Sequence, residues 1–326
     1  MNYKIGSLLA ALGLITCACK KDNQDNEVIS QKYVHKYGYA VSQEEWEKKN
    51  YPGQVISSLR NGITVTATYE NNQLHGPCTF TYPNSQTVEK YVLYNQNIPV
   101  KEVLYDITGM PMQETVQLTQ NRNSLTTWYS DGVPRSAEEY TNGELIEGQY
   151  FSPNNELETQ VEKGNGLRTI RDSRGILVCK DLMQAGLIAK RESFYPTGIP
   201  ESIANYFQGL LHGERKTFTQ QGEPLSVEEW ASGALHGVST YYKNGTKELE
   251  VSYFLGKKHG WENQFVDGVS LFHQISWNND MKHGAEIFFV HDGKKKVSWN
   301  YQGKEVSQHR FNELARFDEL ISQSND

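Results

Sequence analysis

Apolar and polar residues alternate along short stretches of this chain. From Ile63 to Tyr69, isoleucine, valine, alanine and tyrosine alternate with threonine. A period of two places the apolar side chains on one face of a β-strand. Stretches of strand-like composition follow one another from Gly38 onward, separated by glycine or asparagine. Because both residues accept the backbone geometry of tight turns, the pattern predicts consecutive β-hairpins.

One phrase occurs four times between Tyr206 and Gly293. An aromatic residue is followed seven residues later by the glycine of a His-Gly pair, and a second aromatic and a turn glycine come after. The leading aromatics are Tyr206, Trp230, Tyr253 and Trp277, and the paired glycines are Gly213, Gly237, Gly260 and Gly284. A fifth copy has Tyr69 and Gly76. Recurrence every 23 or 24 residues is typical of a repeat architecture.

Each unit is predicted to have two turns, one at the His-Gly pair and one at a later glycine or asparagine. The closing turns are predicted at Gly62, Asn84, Gly109, Gly132, Asn154, Gly175, Gly198, Gly222, Gly245, Gly268 and Gly293. These positions are 21 to 25 residues apart, so about 11–12 hairpin units fill the chain. The first unit has Trp46 as its aromatic and Pro52-Gly53 in place of His-Gly. The prediction is an all-β protein, an elongated antiparallel β-meander.

The phrases at Tyr206, Trp230, Tyr253, Trp277 and Tyr69 resemble the MORN-repeat variant family. Units of that family read roughly as an aromatic, a glycine, His-Gly or an equivalent, a second aromatic and a glycine. The resemblance implies an elongated β-meander. For function it implies membrane association, scaffolding or, in some bacterial members, an antitoxin-like role.

The first 19 residues are predicted to be a targeting segment. Lys4 supplies a positive start, and the apolar run from Ile5 to Ile15 is too short to span a bilayer. An apolar run that ends in cysteine before a polar tract resembles a bacterial lipoprotein signal peptide, in which the cysteine receives the lipid. Cys17 and Cys19 are both candidates for lipidation. An ordinary secretory signal is the alternative.

Two cysteines can take the lipid because each satisfies part of the expected pattern. Cys17 has Leu14 three residues before it, but Thr16 is bulkier than the usual neighbour. Cys19 has the small Ala18 directly before it. Residues 20–32 are predicted to be a flexible tether, because so polar a stretch buries little apolar area. Residues 33–305 are predicted to be the repeat domain.

The chain is predicted to end in a helix. Residues 306–326 contain no glycine or proline, their apolar residues approach helical spacing, and Ser307 is a suitable N-cap. A terminal helix laid over the last strand would cover an open sheet edge. We therefore expect a C-terminal capping helix and tail.

Composition agrees with a thin sheet that has partly wet faces. Hydrophobic residues make up 37%, mean hydropathy is −0.65, and the 19 tyrosines each combine an apolar ring with a polar tip. The net charge of −7 argues against general binding to nucleic acid or anionic lipid.

Candidate catalytic chemistry is weak in this sequence. The repeat histidines are His212, His236, His259 and His283. Units two strands apart place them about 9.5 Å from one another, too far to share one zinc ion. The same register places Cys78 and Cys179 about four units apart, so we predict two free thiols. No cofactor, metal site or catalytic residue is predicted.

The sequence therefore favours a non-catalytic protein that binds a protein partner or acts as a scaffold. Its predicted location is the cell envelope, at the outer membrane of a Gram-negative bacterium, with the N-terminal lipid as its membrane contact. A membrane-lipid-associating role is the first alternative. The second is an antitoxin-like or immunity protein that binds one specific partner.

Overall fold

A computed structural model of the protein describes residues 27–290 and 295–323. Its strands form one open antiparallel sheet of 26 strands, in which consecutive strands of the chain are neighbours. A helix lies near each end of the described chain. The predicted all-β antiparallel meander is confirmed. Cys17, Cys19 and the predicted turn at Gly293 lie outside the described residues.

The chain divides into two compact units, the first comprising the described residues up to Val100 with 107–109 and the second comprising 101–106 and the rest. The first unit contains β1 (Val28–His35), β2 (Ala40–Val41), α1 (Gln43–Lys49), β3 (Gly53–Leu59), β4 (Thr64–Glu70), β5 (Gln73–Thr81) and β6 (Val88–Asn95). Strand β7 (Ile98–Tyr105) begins in the first unit and ends in the second.

The second unit holds the remaining elements. Its earlier strands are β8 (Pro111–Thr119), β9 (Arg122–Trp128), β10 (Pro134–Thr141), β11 (Glu144–Phe151), β12 (Leu157–Glu162), β13 (Asn165–Arg171), β14 (Leu177–Gln184), β15 (Leu187–Phe194) and β16 (Pro200–Phe207). Its later elements are β17 (Leu210–Phe218), β18 (Pro224–Ala231), β19 (Ala234–Leu235), β20 (Gly237–Lys243), β21 (Thr246–Phe254), β22 (Lys257–Phe265), β23 (Leu271–Asn278), β24 (Met281–Phe289), β25 (Lys295–Tyr301), β26 (Lys304–Val306) and α2 (Gln308–Gln323).

One turn of each unit comes earlier in the chain than the sequence predicted. It is a two-residue turn in which both residues have positive φ, such as Gln208-Gly209 (50° and 79°) and Ser232-Gly233 (49° and 83°). Two positive φ values are the signature of the type I′ hairpin turn, whose twist matches that of the strands. Assigning this turn to the His-Gly pair was wrong. The pattern was hard to read because Gln, Ser or Leu255 fills the first turn position.

The His-Gly pairs lie instead at bulges in the strands. In β17, the three residues His212 to Glu214 stand opposite Asn205 of β16, because the pairs on either side are Tyr206 with Leu211 and Ala204 with Arg215. The glycine takes a φ of +80° at Gly213 and between +98° and +106° at the three later copies. Left-handed geometry of this kind favours glycine, and this explains why the pair recurs.

The repeat aromatics are placed by these glycines. Trp230 is paired directly with Gly213, Tyr253 with Gly237 and Trp277 with Gly260, each across adjacent strands. In the first unit Tyr69 is paired with Gly53. A glycine leaves room for the ring beside it, so these aromatics are half-buried. Tyr206 differs, since its recorded partner is Leu211.

Successive hairpins are joined at their type I′ turns. The N–H of Gly233 donates to the carbonyl of Leu211 (2.9 Å), and that of Gly256 donates to Leu235 (2.8 Å). We call this series of hydrogen bonds between turns the turn ladder. Two of the repeat histidines add hydrogen bonds to it. Nδ1 of His212 accepts from the N–H of Ser232 (3.4 Å), and Nδ1 of His283 accepts in the same way from Gln302 (3.4 Å). His236 is an exception, because its Nδ1 has no partner among the described residues.

The closing turns follow the sequence prediction closely. Positive φ is found at all the predicted positions within the described chain except Asn154, where the next residue, Asn155, has it (61°). In a representative turn the N–H of Gly198 donates to the carbonyl of Tyr195 (2.8 Å). Asparagine occurs twice in succession at 154 and 155, and composition did not distinguish the two.

The start of the described chain departs from the prediction in two ways. Strand β1 begins at Val28 and pairs with β3, so it overlaps the predicted tether, residues 20–32. Trp46 belongs to helix α1 rather than to a strand. Its ring is 8% exposed and contacts Tyr33 (5.5 Å) and Tyr69 (6.3 Å). A seven-residue helix is too short to give a clear periodic signal.

The predicted C-terminal helix is confirmed as α2. Oγ of Ser307 accepts from the N–H of Arg310 (3.2 Å), which makes Ser307 the N-cap. Phe311 packs on Trp299 of β25 (5.0 Å) and on His283 (5.4 Å). The helix therefore covers the face of the sheet near β25, while β26 is only three residues long.

Cys78 and Cys179 are both free and buried, as predicted. Cys78 lies in the apolar core of the first unit with Val65 and Val92, and Cys179 lies in β14 of the second. Burial raises the pKa of each thiol to about 11. Both therefore remain protonated at neutral pH and pack as small apolar side chains.

Gly237 provides a test of the bulge. We expect Gly237→Val to lower the free energy of unfolding by about 1–3 kcal/mol, because φ is +99° and a Cβ would lie 3.3 Å from Cβ of Glu229. Gly237→Asn should cost less, since asparagine tolerates left-handed geometry. Thermal denaturation of both variants measures the difference. Equal and negligible losses would show that the bulge places no demand on this residue.

Candidate functional site

One face of the sheet in the second unit, here called the inner face, carries a row of directly paired charged residues. In β13, β14 and β15, Arg168 faces Asp181 and Asp181 faces Arg191. Two strands further, Arg215 faces Glu228. Opposite charges in direct cross-strand pairs stabilise a sheet. This charged row occupies positions that an ordinary core would fill with apolar side chains.

Asp181 is the centre of the charged row and is completely buried. Its two carboxylate oxygens accept from Nε and Nη2 of Arg191, at 2.7 and 2.8 Å. Nη1 of Arg168 lies 3.9 Å away on the other side. The hydrogen bond to Asp181 is the main cause that raises the pKa of Arg191. The pair is bidentate, the strongest geometry for arginine and carboxylate.

Glu138 is a second buried carboxylate, 4% exposed, and three donors meet on it. Nε of Arg168 donates to Oε1 (2.8 Å), the hydroxyl of Tyr150 donates to Oε1 (2.8 Å), and that of Tyr140 donates to Oε2 (2.7 Å). Arg168 reaches β10 across two strands, and Gly148, opposite Glu138, has no side chain, so the ring and hydroxyl of Tyr150 lie over it. Burial and then the charge of Glu138 raise the pKa of both tyrosines.

The last repeats place a carboxylate beside each bulge. Lys258 reaches across its own His-Gly pair to Glu262 (2.6 Å), and Lys282 does the same to Glu286 (2.7 Å). Nε2 of His273 also lies 3.1 Å from Glu286. Burial opposes ionisation of Glu286, but hydrogen bonds from Lys282 and His273 outweigh it, so its pKa is lowered. This carboxylate therefore stabilises the fold above its ordinary pKa and loses that effect as pH falls through the lowered value.

The charged side chains of the inner face thus form ion pairs with one another. Glu138, Asp181, Glu228, Glu262 and Glu286 each accept from at least one arginine or lysine. Within residues 27–290 and 295–323, no three metal-ligating side chains come together. The arrangement can hold strands in register, and the carboxylates named here are already engaged by donors.

The opposite face, here called the outer face, exposes an apolar patch. Val238 (50% exposed), Phe254 (48%), Leu255 (64%) and Trp261 (40%) lie on or beside β20, β21 and β22. Val238 is paired with Ser252, which lies two residues from Phe254 on the same face. The ring of Phe254 lies 5.1 Å from His236 and 5.9 Å from His259. We call these four exposed residues the Phe254 patch.

The predicted repeat aromatics and the exposed aromatics are different residues. Tyr253 and Trp277 lie on the inner face, each beside a glycine, whereas Phe254 follows Tyr253 directly and so lies on the outer face. Phe207 follows Tyr206 in the same way and is 61% exposed. Sequence reasoning attended to the first aromatic of each Tyr-Phe pair. A second aromatic at the next position in a strand was the signal for the outer face.

The buried carboxylate of Glu138 gives the second testable prediction. Arg168→Met should lower the free energy of unfolding by about 3 kcal/mol, because it leaves a buried charge with two neutral donors. Adding Glu138→Gln to the same chain should recover part of the loss, since the uncompensated charge is then removed. Urea denaturation of the single and double variants measures both effects.

Arg174 supplies the matched control. It pairs with Asp172 at 3.1 Å, but its side chain is 74% exposed. Arg174→Met should leave the urea midpoint unchanged, because an exposed ion pair contributes little. If Arg168→Met and Arg174→Met shifted the midpoint equally, the burial of Glu138 would have no energetic consequence.

No protein-family model matches the chain, and no curated protein matches it. Among the described residues, neither helix has the length and apolar character needed to cross a membrane. The resemblance to the MORN-repeat variant family stays a prediction.

Proposed function

We propose that this protein is a lipid-anchored protein of the cell envelope that binds a protein partner through the outer face of its sheet, without catalysis. The observation that supports this most directly is the division of the second unit into two faces. The charges of the inner face hold one another, whereas the outer face exposes valine, leucine, phenylalanine and tryptophan side chains in one patch. Exposed apolar patches with aromatic residues are typical of protein interaction sites.

The anchor is supported by the sequence before residue 20. Its apolar run, with Cys17 and Cys19 followed by polar residues, has the order of a lipoprotein signal. The lipid would hold the repeats at a membrane surface, in the outer membrane of a Gram-negative bacterium. The sheet then works as a scaffold whose binding face stays near that surface.

The anchor makes a direct labelling prediction. A palmitate analogue fed to cells should label the wild-type protein, and the double change Cys17→Ser, Cys19→Ser should abolish the label. The single changes identify the lipidated cysteine. Wild-type protein that is recovered unlabelled and soluble from the periplasm would contradict the anchor.

The binding function is tested with three valines of the outer face that have similar exposure. Val178 (43%), Val238 (50%) and Val297 (44%) are each replaced in turn by a photoreactive phenylalanine analogue in the full chain. Irradiated envelopes should give a discrete protein adduct from at least one position. The same protein should co-purify in fixed ratio with the wild-type chain after detergent extraction.

The outcomes separate the candidate functions. Adducts with lipid alone, together with sedimentation of the anchor-free chain on liposomes, would replace protein binding with a lipid-surface role. Absence of protein and lipid adducts at all three valines would contradict the proposed binding face.

A further inference from the structure

Two units of the repeat place a histidine beside an aromatic ring in the same geometry. His283 and Tyr301 have ring centroids 5.1 Å apart at 45°, and His236 and Phe254 have centroids 5.1 Å apart at 48°. Each histidine belongs to a His-Gly pair, and each aromatic directly precedes the next type I′ turn. The two ring pairs are therefore equivalent positions of one repeat.

One of these equivalent sites is covered by a helix. At the end of the chain Phe311 of α2 packs on His283, Trp299 and Tyr301, at 5.4, 5.0 and 6.4 Å. The helix also brings Asp318 to the hydroxyl of Tyr301, which donates to it at 2.9 Å. The repeat thus shows which kind of group it accepts on this ring pair: an aromatic side chain from a helix.

The equivalent site at Phe254 has no such cover among the described residues. Phe254 remains 48% exposed, and Val238 and Trp261 extend the apolar surface on both sides. The other three His-Gly units do not repeat this arrangement, because Asn95, Ala231 and Asn278 stand where Phe254 and Tyr301 stand. An apolar surface of this form is therefore particular to one open position.

The charged residues beside the Phe254 patch indicate the sign of the charge that a partner would carry. Glu214 and Glu229 are paired directly across β17 and β18 on the outer face, and Glu229 lies beside Gly237, the residue before Val238. Like charges in direct opposition are unfavourable. Lys216 pairs with Glu214 at 2.7 Å, whereas Glu229 has no recorded ion pair in the described chain. A positive charge brought to this place would relieve the repulsion.

We propose that the Phe254 patch binds an amphipathic helix of a partner protein that seats an aromatic side chain on Phe254 and His236 and presents a basic residue to Glu214 and Glu229. This inference rests on the proposed protein-binding function and names the chemistry of the partner. Glu229 lies two strands from Phe254, about 9.6 Å across the sheet. A helix covers that distance in about two turns, so the basic residue lies about seven positions from the aromatic one.

The chain itself supplies a probe for this site. We take a synthetic peptide with the sequence of residues 307–323, held helical by a staple on the side away from Phe311. In α2, Asp318 lies at the hydroxyl of Tyr301, the position equivalent to Phe254. The probe therefore keeps the aromatic anchor of α2 and tests a helix that runs from Phe254 across the sheet toward Glu229. It carries Asp318→Arg, which places a basic residue seven positions after the aromatic anchor. Stapled peptides with the native Asp318, or with Phe311→Ala, are the controls.

The Asp318→Arg peptide should bind the full chain at least about 10-fold more tightly than the peptide that also lacks the ring at 311. Phe254→Ser in the protein should weaken binding by a similar factor. Phe207→Ser is the matched control and should leave binding unchanged, because Phe207 precedes an equivalent turn but has no His-Gly histidine in the preceding unit. Fluorescence anisotropy of labelled peptide measures each affinity.

The basic contact is tested separately. Glu229→Gln should weaken the Asp318→Arg peptide by about 3-fold, and added salt should reduce the difference between the two peptides, because screening acts on exposed charges. The peptide with native Asp318 should be insensitive to Glu229→Gln or bind slightly better. Equal effects on both peptides would overturn the assigned charge contact.

The inference fails if the Asp318→Arg peptide does not bind, or if it binds Phe254→Ser as tightly as wild type. It also fails if an envelope partner is captured at Val178 or Val297 but not at Val238, and in that case the proposed function survives. If the peptide binds through Phe254 and no envelope partner is captured at any valine, the proposed function fails while the patch retains its assigned chemistry.

Discussion

A sheet built from consecutive hairpins has to cover its own faces, because within the described chain most strands have no second layer packed against them. In the second unit this constraint is met by long side chains that lie over neighbouring strands. Arg168 crosses two strands to reach Glu138, and the ring and hydroxyl of Tyr150 fill the space over Gly148, which has no side chain. The repeat glycines work on the same principle, since each leaves space for a tryptophan or tyrosine of the next unit. A glycine in one strand and a long side chain in a neighbouring strand therefore depend on each other.

Much of the fold could be predicted from the sequence, but less of the candidate site could. Glycine and asparagine at regular intervals predicted the closing turns, and alternation predicted the strands. The sequence prediction misplaced the other turn because Gln208, Ser232 and Leu255 are not residue types that typically have positive φ. The strand register and the neighbouring turns impose this conformation on them. The Phe254 patch could not be recognised from spacing alone, since Tyr253 and Phe254 look alike in composition and only strand alternation divides them between two faces.

The division of the sheet into an inner and an outer face also bears on function. Buried carboxylates such as Asp181 and Glu138 are expensive to keep, and arginine and tyrosine donors make them tolerable. Their geometric demands fix the register of β10 to β15, which an interchangeable apolar row would leave less defined. On the outer face, by contrast, no comparable network among the described residues surrounds Val238 and Phe254. The side-chain contacts that specify the strand register lie on the inner face, whereas the outer face has exposed apolar area.

The turn ladder has a consequence for how such a chain can change length. Many hairpins are tied to a neighbouring hairpin by a main-chain hydrogen bond from a turn amide to a carbonyl one unit away, as in Gly233 with Leu211 and Gly186 with Gly164. The second of these examples lies where the His-Gly pair is missing, so the histidine is dispensable and the main-chain bond is retained. Duplication of one whole unit would recreate every such bond, whereas insertion of a partial unit would misalign all the faces that follow it. A sheet of this kind can therefore grow or shrink in whole repeats while it keeps the main-chain hydrogen bonds between its turns.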